Sequence, residues 1–317
     1  MTRARDSADG TPSVTADVPS PVGSRTQPVR AVLATVAACV GAVMVAGCGP
    51  ESPPVTMPPS EPTALVLRLE QAGGLVPPGL PRVPQFSLYG DGRVVTTAAP
   101  GTSGAQPALP ALQQRLLSRA GIPRVLRGGR DAGREAGADY GQGVVPDAPV
   151  TTFTLVSAGR RRVVRTVGLS LEPSAGTGSL TSRQSAARRR LRAFESRLLN
   201  PDRWLADVTT EPTSAYRGSA LAAFAAPAEA LGSVATAARR SWPLGDLASA
   251  GVARAAGRCQ VVRGRDLVAV LSSVRGASNQ MLWRSGGAWY HVQLRPLLPD
   301  ERNCADVLGR AGVRLKR

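Results

Sequence analysis

The sequence predicts an α+β fold: antiparallel β hairpins with helices packed on one side, in two modules divided near residue 200. Three observations carry that prediction. Short segments with apolar residues at alternate positions are joined by Gly-containing turns, as in "QFSLYGDGRVVTT" and "TTFTLVSAGRRRVVRTV", which is the pattern of hairpins. One long run with helical spacing follows them, from Thr181 to Leu199. Between Cys259 and Cys304 the chain then reads strand, helix, hairpin, a roughly βαββ unit closed by a disulfide.

The elements follow in order. "ALVLRLE" sets Leu65, Leu67 and Leu69 against Val66, Arg68 and Glu70, a strand with one buried face. In the first hairpin Phe86 and Leu88 share a face and Gly90-Asp91-Gly92 supplies the turn. "LQQRLL" reads as a strand or as the start of a helix. Ser118 is placed to cap a helix through Ile122, Val125 and Leu126, against which Pro123 and Gly128-Gly129 argue. The second hairpin turns near Ala158-Gly159. Thr181 with Gln184 forms a capping box; Ala187, Leu191, Phe194 and Leu198 continue the stripe and Asn200-Pro201 stops it. From Pro201 to Trp242 the chain is Ala-rich, broken by Pro212 and Pro227, and its pattern assigns no element. "RCQVV" reads as a strand and "DLVAVLSSVRG" as a helix capped by Asp266. "QMLWRSGGAWYHVQLR" reads as a hairpin with Trp289, His291 and Gln293 on one face and Tyr290, Val292 and Leu294 on the other.

The N-terminal region is of another kind. "AVLATVAACVGAVMVA", Ala31 to Ala46, carries no charge and follows Arg25 and Arg30. A basic region, a short apolar run and small residues at its end mark a secretory signal; a membrane-spanning helix needs roughly 20 apolar residues. Residues 1–47 are expected to be a signal peptide with a disordered lead. Val45-Ala46-Gly47-Cys48 resembles a bacterial lipobox, with Val45 a less usual first residue than Leu. The resemblance implies cleavage between Gly47 and Cys48 and a diacylglyceryl group on the Cys48 thiol. Two acyl chains give stable membrane attachment where one gives marginal binding. Residues 48–62 are then a lipidated Cys and a Pro-rich tether, 63–200 the first α+β module and 201–317 the second.

The 317-residue chain has a net charge of +17. Residues 1–47 hold four Arg and three Asp, leaving about +16 on the rest. Such a balance suits contact with an anionic lipid or wall polymer. Lys316 is the only lysine, and Ala, Gly and Pro are abundant, so an Arg-rich composition of the whole proteome explains the charge equally well. Arg160–Arg162 and Arg188–Arg190 read as solvated faces. Aromatic residues are too sparse for a nucleic-acid site. Of the four Cys, Cys39 leaves with the signal and Cys48 carries the lipid; Cys259 and Cys304 remain in an oxidising compartment and are expected to pair.

Chemistry finds few candidates. The one histidine, His291, sits mid-strand, and no G-x-S-x-G elbow presents a serine to it. The Cys/His clusters that hold zinc are absent, as are G-x-x-x-x-G-K-[ST] and G-x-G-x-x-G loops. Asp139 with Asp147, and Asp300 with Glu301, are the carboxylate pairs open to acid–base work; loop turns and an ion pair with a neighbouring Arg account for them as well. The expectation is a non-enzyme without metal or cofactor.

The patches "LRLEQAGG", "FSLYGDGRVV", "DAPVTTFTL" and "WRSGGAWYHVQLRPLLPDERNC" together resemble a family of uncharacterised actinobacterial surface lipoproteins, which offers no activity to inherit. The chain departs from it around 124–137, where Gly stands for the usual Ala and Leu, and around 205–240; loose helices are expected there. The first half also resembles, distantly, the emfourin-type inhibitors of secreted metalloproteases in its strand entering a Gly-Gly turn and its closing hairpin and helix. The expected function is that of a lipid-anchored lipoprotein on the extracytoplasmic face of the cell membrane, non-enzymatic, binding another envelope macromolecule: an anionic wall polymer or lipid, or an envelope protein. The alternative is a lipid-anchored inhibitor of an extracytoplasmic protease, and a hydrolase comes third.

Overall fold

A computed structural model describes residues 59, 61–72, 82–98, 106–133, 140–141, 148–171, 180–231, 238–254 and 257–308. The chain divides into the units Met1–Ser52 and Pro53–Arg317, and every described residue belongs to the second. Gly47 and Cys48, the expected cleavage and lipidation positions, lie outside the described residues, as do Asp139 and Asp147. Among the described residues no helix is long and apolar enough to cross a membrane.

The first sheet is built from β1 (Leu65–Ala72), β2 (Phe86–Tyr89), β3 (Arg93–Thr97), β4 (Leu112–Leu116), β5 (Val150–Ser157), β6 (Arg160–Val167) and β7 (Ser214–Ala215). Their order is β6-β5-β1-β2-β3-β4-β7, and every pairing is antiparallel. The period-2 pattern of β1 is real, but both of its faces are buried. Leu67 and Leu69, with Phe86, Leu88, Val94 and Phe153, pack against α1 (Gly121–Ala132) and α2 (Ser182–Leu199). Arg68, opposite Ser87 and Thr154, points to the other side, where it is 1% exposed.

The helices account for two features of the sequence. The capping box of α2 is formed: the Gln184 amide N–H donates to Thr181 Oγ1, and the Thr181 N–H donates to Gln184 Oε1. Its stripe of Ala187, Leu191, Phe194 and Leu198 is buried, each fully buried Leu or Phe contributing roughly 1.5–3 kcal/mol. In α1, residues 124–132 are an ordered helix rather than a loose one. A Cβ on Gly128 would stand 3.0 Å from Phe194 Cε2 and 3.2 Å from Trp204 Cζ2. The glycine thus lets α1 approach α2 and α3 (Pro201–Trp204), where Phe194 and Trp204 meet edge to face with centroids 5.9 Å apart. Ser118 accepts the Gly121 N–H through its backbone carbonyl and gives no side-chain cap.

The second sheet comprises β8 (Ala220–Pro227), β9 (Arg239–Ser241), β10 (Val252–Arg254), β11 (Gly257–Arg263), β12 (Leu282–Ser285) and β13 (Ala288–Pro296), in the order β10-β11-β8-β13-β12-β9. Only β9 with β12 is parallel. The expected βαββ unit is present as β11, α4 (Gly264–Ser273), β12 and β13. Inserted between β11 and β13 is β8, with sequence ALAAFAAP. This Ala-rich stretch is a central strand buried on both faces, where small side chains fit between the covering layers. On one face α4 packs with Trp242, Trp283, Tyr290, Val292 and Leu294. On the other, Phe224 and Val261 meet α5 (Cys304–Leu308). The residue before α4 is Arg263, with no side-chain cap; Asp266 lies within the first turn instead, where it favours the helix dipole. Cys259 on β11 is bonded to Cys304 at the start of α5, with the sulfurs 2.08 Å apart.

Candidate functional site

The two sheets meet at a buried ionic cluster. Arg68 from β1 donates through Nη2 to Asp300 Oδ1 at 2.8 Å and to the Tyr89 hydroxyl at 3.1 Å, and through Nε to Ser87 Oγ at 3.1 Å. Tyr89 donates in turn to Asp300 Oδ1 at 3.2 Å. Glu301 takes both Nη atoms of Arg295 at 2.9 Å and the Leu298 N–H at 2.9 Å; Arg68 Nη1 lies 3.9 Å from it. Two buried cations thus face two carboxylates, Glu301 fully buried and Asp300 partly open to the surface. Burial opposes the charge on Arg68, but the neighbouring Tyr89, Asp300 and Glu301 outweigh it and hold its pKa above the ordinary value. Burial pushes Tyr89 upward, against the pull of Arg68. Glu70 is likewise raised by burial, which outweighs Arg68 and Arg295.

Both carboxylates, Asp300 and Glu301, are bound to guanidinium groups from β1 and β13, and the cluster fixes the loop after β13 on the first sheet. Leu298 adds to the contact by packing on Tyr89, Val95 and Leu112, and Tyr216 donates to the Leu297 carbonyl at 2.8 Å. His291 lies on β13, on the half-buried face with Trp289 and Gln293. Arg239 stacks over Trp289 at 5.2 Å from the ring centroid. Among the described residues, no group of three or more His, Cys, Asp or Glu comes together as a metal site.

The arginine runs divide on inspection. Arg188 is 4% exposed and no part of a solvated face. It donates to the carbonyls of Tyr140, Gly141, Val167 and Gly168, tying α2 to the end of β6. Burial, with Arg192 nearby, lowers its pKa. Arg160, Arg161, Arg162 and Arg165 are exposed. They lie on β6, the edge strand of the first sheet, at and beyond a two-residue turn in which Ala158 (φ 49°) and Gly159 (φ 69°) are both left-handed. Left-handed backbone costs a non-Gly residue about 1–2 kcal/mol, so the tip is held in shape by the strand pairing behind it.

The alternation of β6 sends its arginines to both faces of the hairpin. Arg160 and Arg162 join Arg130 of α1 around a pocket of about 450 Å³, completed by Leu126, Leu155, Ser157 and Ala158. Among the described residues no carboxylate lines it, and the Ser157 hydroxyl is buried there without a hydrogen-bond partner. Arg161 faces the other way, into a pocket of about 490 Å³ shared with Pro59, Glu61, Ala64, Leu65, Val156, Gly159 and Asp300. The lining of the first pocket sets three guanidinium groups and the Ser157 hydroxyl over an apolar floor. The sequence reads Arg160–Arg162 as a solvated face; Arg130 joins them from α1 only through the tertiary fold. No known protein family, curated protein or solved structure matches the chain.

Proposed function

We propose that the chain is a lipid-anchored extracytoplasmic lipoprotein that binds another envelope macromolecule without chemistry of its own, and that the group it binds is anionic. One observation carries the binding half of this reading: the pocket where Arg160 and Arg162 of the exposed edge strand meet Arg130 of α1, with no carboxylate in its lining among the described residues. Anchoring is supported by the sequence Val45–Cys48 after an uncharged run. Against catalysis by the Asp300–Glu301 pair stands the binding of both carboxylates by buried arginines. The Pro53–Arg317 unit should be retained on a matrix carrying polyphosphate chains and released as salt rises, because exposed charges interact over only about 8 Å at physiological ionic strength. It should pass an uncharged matrix freely. Arg130→Gln with Arg160→Gln and Arg162→Gln should move elution to markedly lower salt; an unchanged elution position would remove the pocket from the reading.

A further inference from the structure

We propose that the end of the molecule carrying the β5–β6 turn is apposed to an anionic lipid surface, with Arg160, Arg161 and Arg162 taking lipid phosphate groups; this rests on the anchored, anion-binding reading above. The key juxtaposition is between the tether and the hairpin. Pro59, at the end of the Pro-rich segment, lines the same pocket as Gly159 and Arg161. The folded end of the tether and the arginine tip are therefore neighbours in space, although a hundred residues separate Pro59 from Gly159. Lipid on Cys48 would draw this end of the molecule toward the membrane.

The dimensions agree. Pro59 is eleven residues beyond Cys48, and a fully extended chain spans at most about 3.6 Å per residue, so the fold can stand no more than roughly 40 Å from its anchor. Charges on the tip act only over a screening length of about 8 Å. The arginines must then touch the surface to contribute, and a tether of this length permits contact while keeping the local concentration of lipid high. The tip also has the composition of an interfacial element. Arginines project from both faces of the hairpin, and Val163, 42% exposed, stands between Arg162 and Arg165 on the same strand. A flat anionic surface can meet both faces of such a projection at once. Glu61 and Asp300 line the Arg161 side, so the stronger phosphate position is the opposite pocket of Arg130, Arg160 and Arg162.

The Pro53–Arg317 unit holds both sheets and the disulfide, so it serves as the test protein, with no acyl chain to confuse the result. Flotation with phosphatidylglycerol vesicles should show salt-sensitive binding, and phosphatidylcholine vesicles should show little. Each arginine near an anionic surface is worth roughly a factor of five, so Arg160→Gln with Arg161→Gln and Arg162→Gln should weaken partitioning about 100-fold. Removing three exposed arginines elsewhere, by Arg189→Gln, Arg197→Gln and Arg203→Gln on α2 and α3, should cost less than about five-fold. Unfolding midpoints matching the parent establish that both triple variants are folded. Equal losses in the two would mean that net charge, and not the hairpin, binds, and would overturn the proposal. Binding to soluble polyphosphate with none to acidic vesicles would overturn it too, while leaving an anionic polymer as partner. Binding to neither would bring down the anionic-partner reading as well.

Discussion

Replacing Glu301 by Gln should be among the most damaging single changes in the chain, although it alters only one side-chain atom. Glu301 accepts from both Nη atoms of Arg295 and from the Leu298 N–H, each at 2.9 Å, and its side chain is fully buried. A Gln oxygen can keep part of this set. The NH₂ that replaces the second oxygen meets a guanidinium N–H, donor against donor. Two charge-assisted hydrogen bonds, at about 1.5–3 kcal/mol each, are put at risk. Arg68 and Arg295 are also left with one carboxylate fewer between them, and breaking a buried pair by removing one partner costs about 3–5 kcal/mol. The two routes to the magnitude agree. At about 2–4 °C per kcal/mol for a chain of this size, the melting temperature should fall by roughly 6–20 °C. Urea denaturation of the oxidised Pro53–Arg317 unit would measure the change directly. Arg295→Met with Glu301→Leu should recover most of the loss, since buried pairs are often replaceable by apolar residues of similar volume. A loss below about 1 kcal/mol for Glu301→Gln would refute the view that this carboxylate holds the loop after β13 in place.

Two further outcomes follow from the same region. Reducing Cys259–Cys304 opens a constraint spanning 45 residues, for which chain entropy gives an upper figure of roughly 4 kcal/mol; hydrogen exchange should quicken in β11, α5 and the Asp300–Glu301 loop while the β5–β6 hairpin keeps its protection, and alkylation of both cysteines without reductant would contradict the bond. Burial pushes the Tyr216 hydroxyl up to about 12 and Tyr89 higher still, whereas an unfolded tyrosine titrates near 10. The folded state therefore holds these protons more tightly, so their contribution is fully present below about pH 10 and is lost as pH rises toward 12. Absorbance at 295 nm should show these tyrosines ionising together with unfolding, and their titration near pH 10 in the folded protein would contradict the burial.

Local signals made much of the fold legible. The hairpins of β2–β3, β5–β6 and β12–β13 announce themselves by alternation and turn residues, and α2 by its capping box and stripe. What escaped was decided by distant partners. β8 is nearly all alanine, a residue of low β propensity, and becomes a central strand because β11 and β13 pair with it and layers cover both faces. Arg68 and Glu70 look like the solvent side of β1, yet Asp300 stands 232 residues from Arg68 in sequence, so no window along the chain could show that the arginine is buried. Gly128 reads as a helix breaker and is instead the point where α1 closes on Phe194 and Trp204. The disulfide was legible because, with Cys39 and Cys48 expected in a signal and its lipobox, Cys259 and Cys304 were the pair remaining. The arginine pocket was not legible as one: the arginine run of β6 reads as a solvated face, and Arg130 and the orphan Ser157 hydroxyl join it only in three dimensions.

The N-terminal peptide of the protein extracted from its native membranes tests most directly whether the folded unit is lipid-anchored at Cys48. Mass spectrometry should find a chain that begins at Cys48 with a diacylglyceryl group on its sulfur. A peptide that runs from Gly47 through an unmodified Cys48 would contradict the anchor, and with it the placement of the arginine hairpin at a membrane.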